Sequence, residues 1–326
     1  MRRRLTLILA ALVSACATQL YPQGPQSVVP TLDGDRWQAA DGVVLPLRSW
    51  LPSGEVKAVV LALHGMNDYS NAFDGPGKSL AAKGIATYAY DQRGFGGGAR
   101  AGYWSSTASM AEDARTAARL LHARHPQVPL YLLGESMGGA VAIVATSTPE
   151  PSIQGTILSA PAVWGRSSMG LVQQAALWLA YTVAPGWELT GRGLNIQPSD
   201  NIEMLRALSR DPLVIKATRV DAIHGLVDLM DAAQEAVEQV QVPLLLLYGV
   251  KDQIIPSDPT WAAIRRLPYL GGSQRAALYD NGWHMLLRDL QAQVVMDDIA
   301  AWIGDPGAAL PSGADVKAVG KLAEIR

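Results

Sequence analysis

Cysteine occurs once in the 326 residues, at Cys16. A single thiol excludes an internal disulfide, so stability has to come from a buried core. Phenylalanine is scarce as well, with two against nine Trp and ten Tyr. Most of the aromatic bulk therefore has a polar edge as well as an apolar face. Charged residues reach only 17%, and a formal net charge of −2 offers no basic face for nucleic acid. The apolar stretch from Leu5 to Ala15 is too short to span a bilayer: as a helix it reaches about 16 Å, against a hydrocarbon core of roughly 30 Å. What the chain does have is 49% apolar residues over a length that supports a sizeable globular core.

Residues 1–15 read as a signal peptide, with Arg2, Arg3 and Arg4 preceding the short apolar stretch. The junction "LVSAC" then puts small residues directly before Cys16. It resembles the lipobox of bacterial lipoproteins, which implies a lipidated Cys16 at the start of the mature chain. Several acyl chains, at about 0.8 kcal/mol per buried methylene, make a stable membrane anchor. The same resemblance, with Ala17 rather than Asp after the cysteine, points to the bacterial cell envelope, at the outer membrane facing the periplasm. An A-x-A-like cleavage site over residues 14–17 and an uncleaved anchor are the competing readings.

Residues 16–35 are rich in Pro, Gly, Gln and Ser and read as a flexible tether. A single folded domain follows over 36–304, with a tail over 305–326. It opens on two alternating segments around Asp41-Gly42, a hairpin signal. Continuous apolar runs then recur at 58–65, 84–96, 129–136, 153–161 and 242–252, separated mostly by helical patterns. Such alternation predicts a mostly parallel mixed sheet flanked by helices, an α/β class. From about 165 to 221 no strand run appears; an apolar helix with Trp178 and Tyr181 is followed by a Pro/Gly-rich excursion through Trp187. This segment reads as a helical cap inserted over the carboxyl ends of the strands, or as ordinary packing helix and loop.

The stretch Gly134-Glu135-Ser136-Met137-Gly138 matches G-x-S-x-G, between an apolar strand and a small-residue helix start. Gly134 and Gly138 let the backbone fold tightly and raise the serine hydroxyl above the sheet. A base is needed to activate it. Of the five histidines, His122 and His125 end an amphipathic helix, and His224 sits beyond the cap, at the pocket or at the surface. His284 lies between the last strand and the last helix, where its imidazole can reach over the sheet top. Asp252 follows a strand directly and is the orienting acid; Asp258 and Asp280 are the alternatives. For the oxyanion, the His64-Gly65 turn exposes the backbone N–H of Met66, and the N–H of Met137 opens the helix after the serine. His64 then shapes the loop rather than acting as a base. Ser136, Asp252 and His284 fall in the chain order of the α/β-hydrolase plan.

The motifs "LHGMND", "YAYDQRGFGGG", "GESMGGAVAI", "LSAPAVW", "YGVKDQIIP" and "NGWHMLL" together resemble the serine-hydrolase family of monoacylglycerol lipases and lysophospholipases, over residues 36–303. The resemblance implies an α/β-hydrolase fold, a Ser136–Asp252–His284 triad and oxyanion donors at Met66 and Met137. It also implies hydrolysis of acyl esters with no cofactor and no metal. Gly97 and Gly98 depart from it, since the family usually has serine soon after the preceding glycine. The expected substrate is an acyl ester or monoacyl lipid, with Trp178, Tyr181 and Trp187 as either an acyl-chain wall or buried cap packing. Two other functions fit less of the sequence: a peptidase or small-ester esterase on the same scaffold, and a non-catalytic binding lipoprotein.

Overall fold

The computed structural model describes residues 18–325; the expected signal peptide and Cys16 lie outside them. In chain order the main strands are β1 (Thr31–Asp33), β2 (Arg36–Gln38), β3 (Val44–Trp50), β4 (Ala58–Leu63), β5 (Ile85–Tyr90), β6 (Leu130–Glu135) and β7 (Gly155–Ser159). A short pair, β8 (Glu188–Leu189) and β9 (Thr218–Arg219), belongs to the cap, and β10 (Leu244–Gly249) and β11 (Gln274–Tyr279) complete the main sheet. The nine-stranded sheet has the order β1-β2-β3-β5-β4-β6-β7-β10-β11. Pairing is antiparallel up to the β3–β5 step and parallel beyond it.

Every residue of β4, β5, β6, β7 and β10 is buried, because both faces of the sheet are covered. The two-residue period of a strand sorts them: Leu61 and Leu63 enter one core layer, Val60 and Ala62 the other. The first layer is closed by helices α2 (Thr107–Arg124), α3 (Met137–Thr146), α6 (Val220–Ala236) and α7 (Ser257–Arg265). The second is closed by α1 (Asp74–Ala81) and α8 (Ala292–Gly304), with Trp302 fully buried beneath. Helix α1 forms despite Gly75, Pro76 and Gly77, a composition that gave no helical signal. A side chain at position 77 would collide with the Trp50 ring, whose Nε1 donates to Asp74 Oδ1 at 3.1 Å.

The segment expected to be a tether is laid along the body from Gln19 onward. Gln19 N–H donates to Asp221, Tyr21 N–H to the Trp104 carbonyl, and Ser27 and Val28 N–H groups to Ala40 O. Its composition reports the lack of a core pattern, not the lack of hydrogen-bond acceptors nearby. β1 also falls inside it and turns into β2 at Gly34, which has φ +53°. The tail expected after 304 carries helix α9 (Ala314–Glu324), which packs along β11 and covers that edge of the sheet.

Between β7 and α6 the expected cap contains α4 (Leu171–Val183), the β8–β9 pair and α5 (Ile202–Arg210). Helix α5 had not been read from the sequence; Asn201 caps it, its side chain accepting the Met204 N–H at 3.1 Å.

Candidate active site

Ser136 closes β6 and opens α3 at φ +53° and ψ −114°, a strained conformation for a residue with a side chain. The flanking glycines explain how the turn closes. A Cβ at Gly134 would strike the Gly138 carbonyl, and one at Gly138 would strike the carbonyl of Leu63 at the end of β4. Ser136 N–H donates to Ser159 O at 2.9 Å, and its carbonyl accepts from Gly139 and Ala162 N–H at 2.9 Å each. The turn is thereby fixed to β7 as well as to its own helix.

Asp252 follows β10 by three residues and His284 follows β11 by five, so both rise from the same carboxyl end of the sheet as Ser136. His284 Nδ1 lies 2.8 Å from Asp252 Oδ2, with both side chains buried. Asp252 Oδ1 accepts the N–H groups of Ile254 and Ile255 at 2.7 and 3.0 Å. Asp252 and His284 are therefore brought together, whereas no Ser136–His284 hydrogen bond forms among the described residues.

The loop after β4 lies against the nucleophile: a Cβ on Gly65 would sit 3.4 Å from the Ser136 Cβ. Among the described residues, neither the Met66 nor the Met137 N–H has a backbone acceptor. His64 is fully buried, its Nδ1 against Gly65 O at 2.8 Å and its Nε2 accepting Gln92 N–H at 2.9 Å. Burial holds its pKa below the ordinary value, so a neutral ring joins the β4 turn to the "DQRGFG" loop. In that loop Gly97 N–H donates to Asp91 Oδ2 at 2.8 Å, so the departure at Gly97 keeps a defined role.

The cap reaches down to all of these loops. Asn67 O accepts from Ile215 N–H at 2.9 Å, and Asn67 Nδ2 donates to Thr218 at 2.7 Å. Gln253 accepts from Gln197 N–H, and Pro198 O accepts from Met285 N–H, both at 3.0 Å. Ser199 Oγ donates to Asp289 Oδ1 at 2.6 Å, and Asp289 Oδ2 accepts the Trp283 N–H next to the histidine at 2.8 Å. Burial raises the Asp289 carboxyl to about 6.

Of the cap aromatics, Trp178 is 66% exposed and Trp187 is 67% exposed, while Tyr181 stacks on His224 with ring centroids 3.9 Å apart. His224 is in turn bonded to Arg166 and Asp228, away from the triad. The exposed cap face continues through Leu171, Val172, Leu179 and Val183. A cavity of about 470 Å³ opens beside the site between α1, α5 and the 287–296 segment; Ser136 does not line it.

Sequence reasoning missed the buried ion cluster below these loops, formed by Arg288, Asp68 and Glu135. The available signal was a lone arginine one helical turn after the histidine, at the end of the apolar run "MLL".

The family described as Serine aminopeptidase, S33 matches residues 54–291. The chain is 26% identical over 275 residues to a monoacylglycerol lipase of Mycolicibacterium smegmatis, covering 80% of this chain and 93% of that protein. It is 27% identical over 286 residues to the monoglyceride lipase of Rattus norvegicus, covering 86% and 92%. Among solved structures, the monoacylglycerol lipase of Paleococcus ferrophilus superposes with a TM-score of 0.67 at 21% identity, covering 81% of this chain and 99% of that one. A soluble variant of monoglyceride lipase from Saccharomyces cerevisiae, in complex with a substrate analog, gives 0.71 at 19%, covering 89% and 100%. These likenesses show the α/β-hydrolase fold.

Proposed function

The chain belongs to the serine aminopeptidase S33 family, and from that premise we propose that it is a serine hydrolase cleaving acyl esters of monoacyl lipids. The observation that carries this reading is the buried His284–Asp252 pair, set at the same sheet end as a serine held at φ +53°. In the reaction His284 Nε2 takes the Ser136 proton as Oγ attacks the ester carbonyl. The oxyanion is held by the N–H groups of Met66 and Met137. The imidazolium gives its proton to the leaving alkoxide oxygen of glycerol, or of the glycerophosphodiester from a lysophospholipid, and an acyl-enzyme is left. Water, deprotonated by His284, then releases the fatty acid. The related monoglyceride lipases support this substrate class, as does the broad exposed apolar face of the cap. Lipidation at Cys16 belongs to the same reading and sets the enzyme at the bacterial envelope, with its membrane as the source of substrate.

Fluorophosphonate labelling tests the chemistry: covalent capture of the wild type but not of Ser136→Ala is expected. Folded wild type that resists labelling overturns the serine mechanism. Turnover of 2-monooleoylglycerol against an aminoacyl p-nitroanilide separates the lipase reading from the aminopeptidase that the family description names. Metabolic labelling with an alkynyl fatty acid, lost in Cys16→Ser, tests the anchor.

A further inference from the structure

One buried guanidinium touches both carboxylates that flank the reacting loops. Arg288 Nη1 donates to Asp68 Oδ2 at 2.8 Å, and Nη2 donates to Glu135 Oε2 at 2.9 Å. Glu135 immediately precedes Ser136, and Asp68 lies two residues beyond Met66. Arg288 follows His284 by one turn of chain, closed by its N–H on Met285 O at 2.8 Å. The three side chains are only 10%, 7% and 3% exposed for Arg288, Asp68 and Glu135.

Resting on the triad reading above, we propose that Arg288 is a positioning residue that holds the base loop, the nucleophile elbow and the oxyanion loop in one relative placement. A bidentate fork can do this because its two N–H directions are fixed by a plane; a lysine ammonium cannot reach two carboxylates with the same rigidity.

The cluster is poorly suited to a purely stabilising role. Two carboxyl groups share one cation, and burial together with the nearby Asp68 raises the Glu135 carboxyl pKa. Glu135 Oε1 and Arg288 Nε find no partner among the described residues. Apolar side chains of similar volume would fill this space at less cost. The arrangement gains geometry instead: the next residue, Asp289, grips Trp283 and the cap's Ser199, so His284 sits on a segment held from two sides. Misplacing reacting groups by about an ångström costs on the order of 10² in rate.

Arg288→Met alone strands two buried carboxylates, so the deciding protein is the full-length triple variant Asp68→Asn/Glu135→Gln/Arg288→Met, in which no charge is left behind. With p-nitrophenyl butyrate, its kcat is expected to fall about 10²-fold with KM within about threefold. Its thermal midpoint should stay near that of the wild type. Arg288→Lys is expected to fall between the two in kcat. A triple variant with wild-type kcat overturns the proposal, as does a kcat loss that vanishes on cooling well below its midpoint. Should the triple variant not fold, an unchanged kcat in Arg288→Lys overturns it equally. Wild type that resists fluorophosphonate would instead remove the triad reading itself, a separate failure.

Discussion

Asp252 divides its two oxygens between two tasks: Oδ2 meets His284 Nδ1 at 2.8 Å, while Oδ1 is held by the backbone of its own loop at Ile254 and Ile255. The carboxylate is thus anchored on one oxygen by its own loop while the other meets the imidazole. Asp252→Asn keeps the shape but offers an N–H where an acceptor is needed. A fall in kcat of roughly 10⁴ is expected, with thermal stability nearly unchanged. The other two acids serve as controls. Asp258 sits in the first turn of α7, and Asp280 pairs with Lys317 at 2.5 Å on the surface. Asn at either should leave turnover close to wild type in the same steady-state assay.

Two glycine-to-alanine changes should move stability in opposite directions. At Gly138 the added methyl runs into the Leu63 carbonyl, which a sheet strand cannot yield. Gly138→Ala is expected to lose about 1–3 kcal/mol and to lower turnover by displacing the Ser136 turn. Gly320 lies exposed inside α9 with open space around it, so Gly320→Ala should gain about 0.5–1 kcal/mol. Urea denaturation of the two variants measures both signs.

Asp289 gives the fold a pH dependence of stated sign. Its carboxyl is raised from 3.8 to about 6 by burial, so the folded protein holds this proton over a range where the unfolded chain has released it. The associated stability is fully present below about pH 3.8 and is lost as pH rises through about 6. Asp289→Asn removes the titration and, with one acceptor fewer for the Trp283 N–H and Ser199, is expected to be less stable at pH 4. That deficit should narrow between pH 4 and pH 7 in matched denaturation curves. A deficit that widens with pH would reverse the assignment.

Trp178 and Trp187 show two-thirds of their surface to solvent, and Leu171 and Val172 of the same cap are each 83% exposed. Such apolar exposure is costly in water and suited to a lipid interface, where Trp rings settle. Trp178→Ser/Trp187→Ser is expected to weaken binding to phosphatidylethanolamine/phosphatidylglycerol vesicles by at least tenfold. Hydrolysis of a short soluble ester should change little. Sedimentation with vesicles and a parallel p-nitrophenyl acetate assay check the two halves.

The strands, and the meeting of Asp252 and His284 at the sheet end that carries Ser136, were legible because both leave local marks. A strand buried on both faces has to be apolar throughout, and a nucleophile on a tight turn needs glycine on either side. Asp252 and His284 could be placed by asking which polar residues directly follow strands. Helix α1 left no such mark, since its glycines are set by the distant Trp50 ring rather than by helical preference. Asp68, Glu135 and Arg288 were hidden for the same reason: up to 220 positions separate the partners, and each alone reads as a surface charge. The cap aromatics were read from residue type, which records the need for an apolar neighbour but not which neighbour supplies it.

The hydrogen bond from Gln19 to Asp221 sets the length of any leash at the N-terminus. Three Cα–Cα steps lead from Cys16 to Gln19, a reach of at most about 11 Å. Asp221 is the second residue of α6, just after β9, and its N–H is bonded to Pro185 O, two residues before Trp187. On the proposal that Cys16 is acylated, the anchor would join the chain within that reach of Gln19, on the side of the fold where Asp221 lies. Under that proposal, encounters with substrate would become two-dimensional, governed by how many monoacyl lipids occupy each patch of leaflet rather than by their concentration in water.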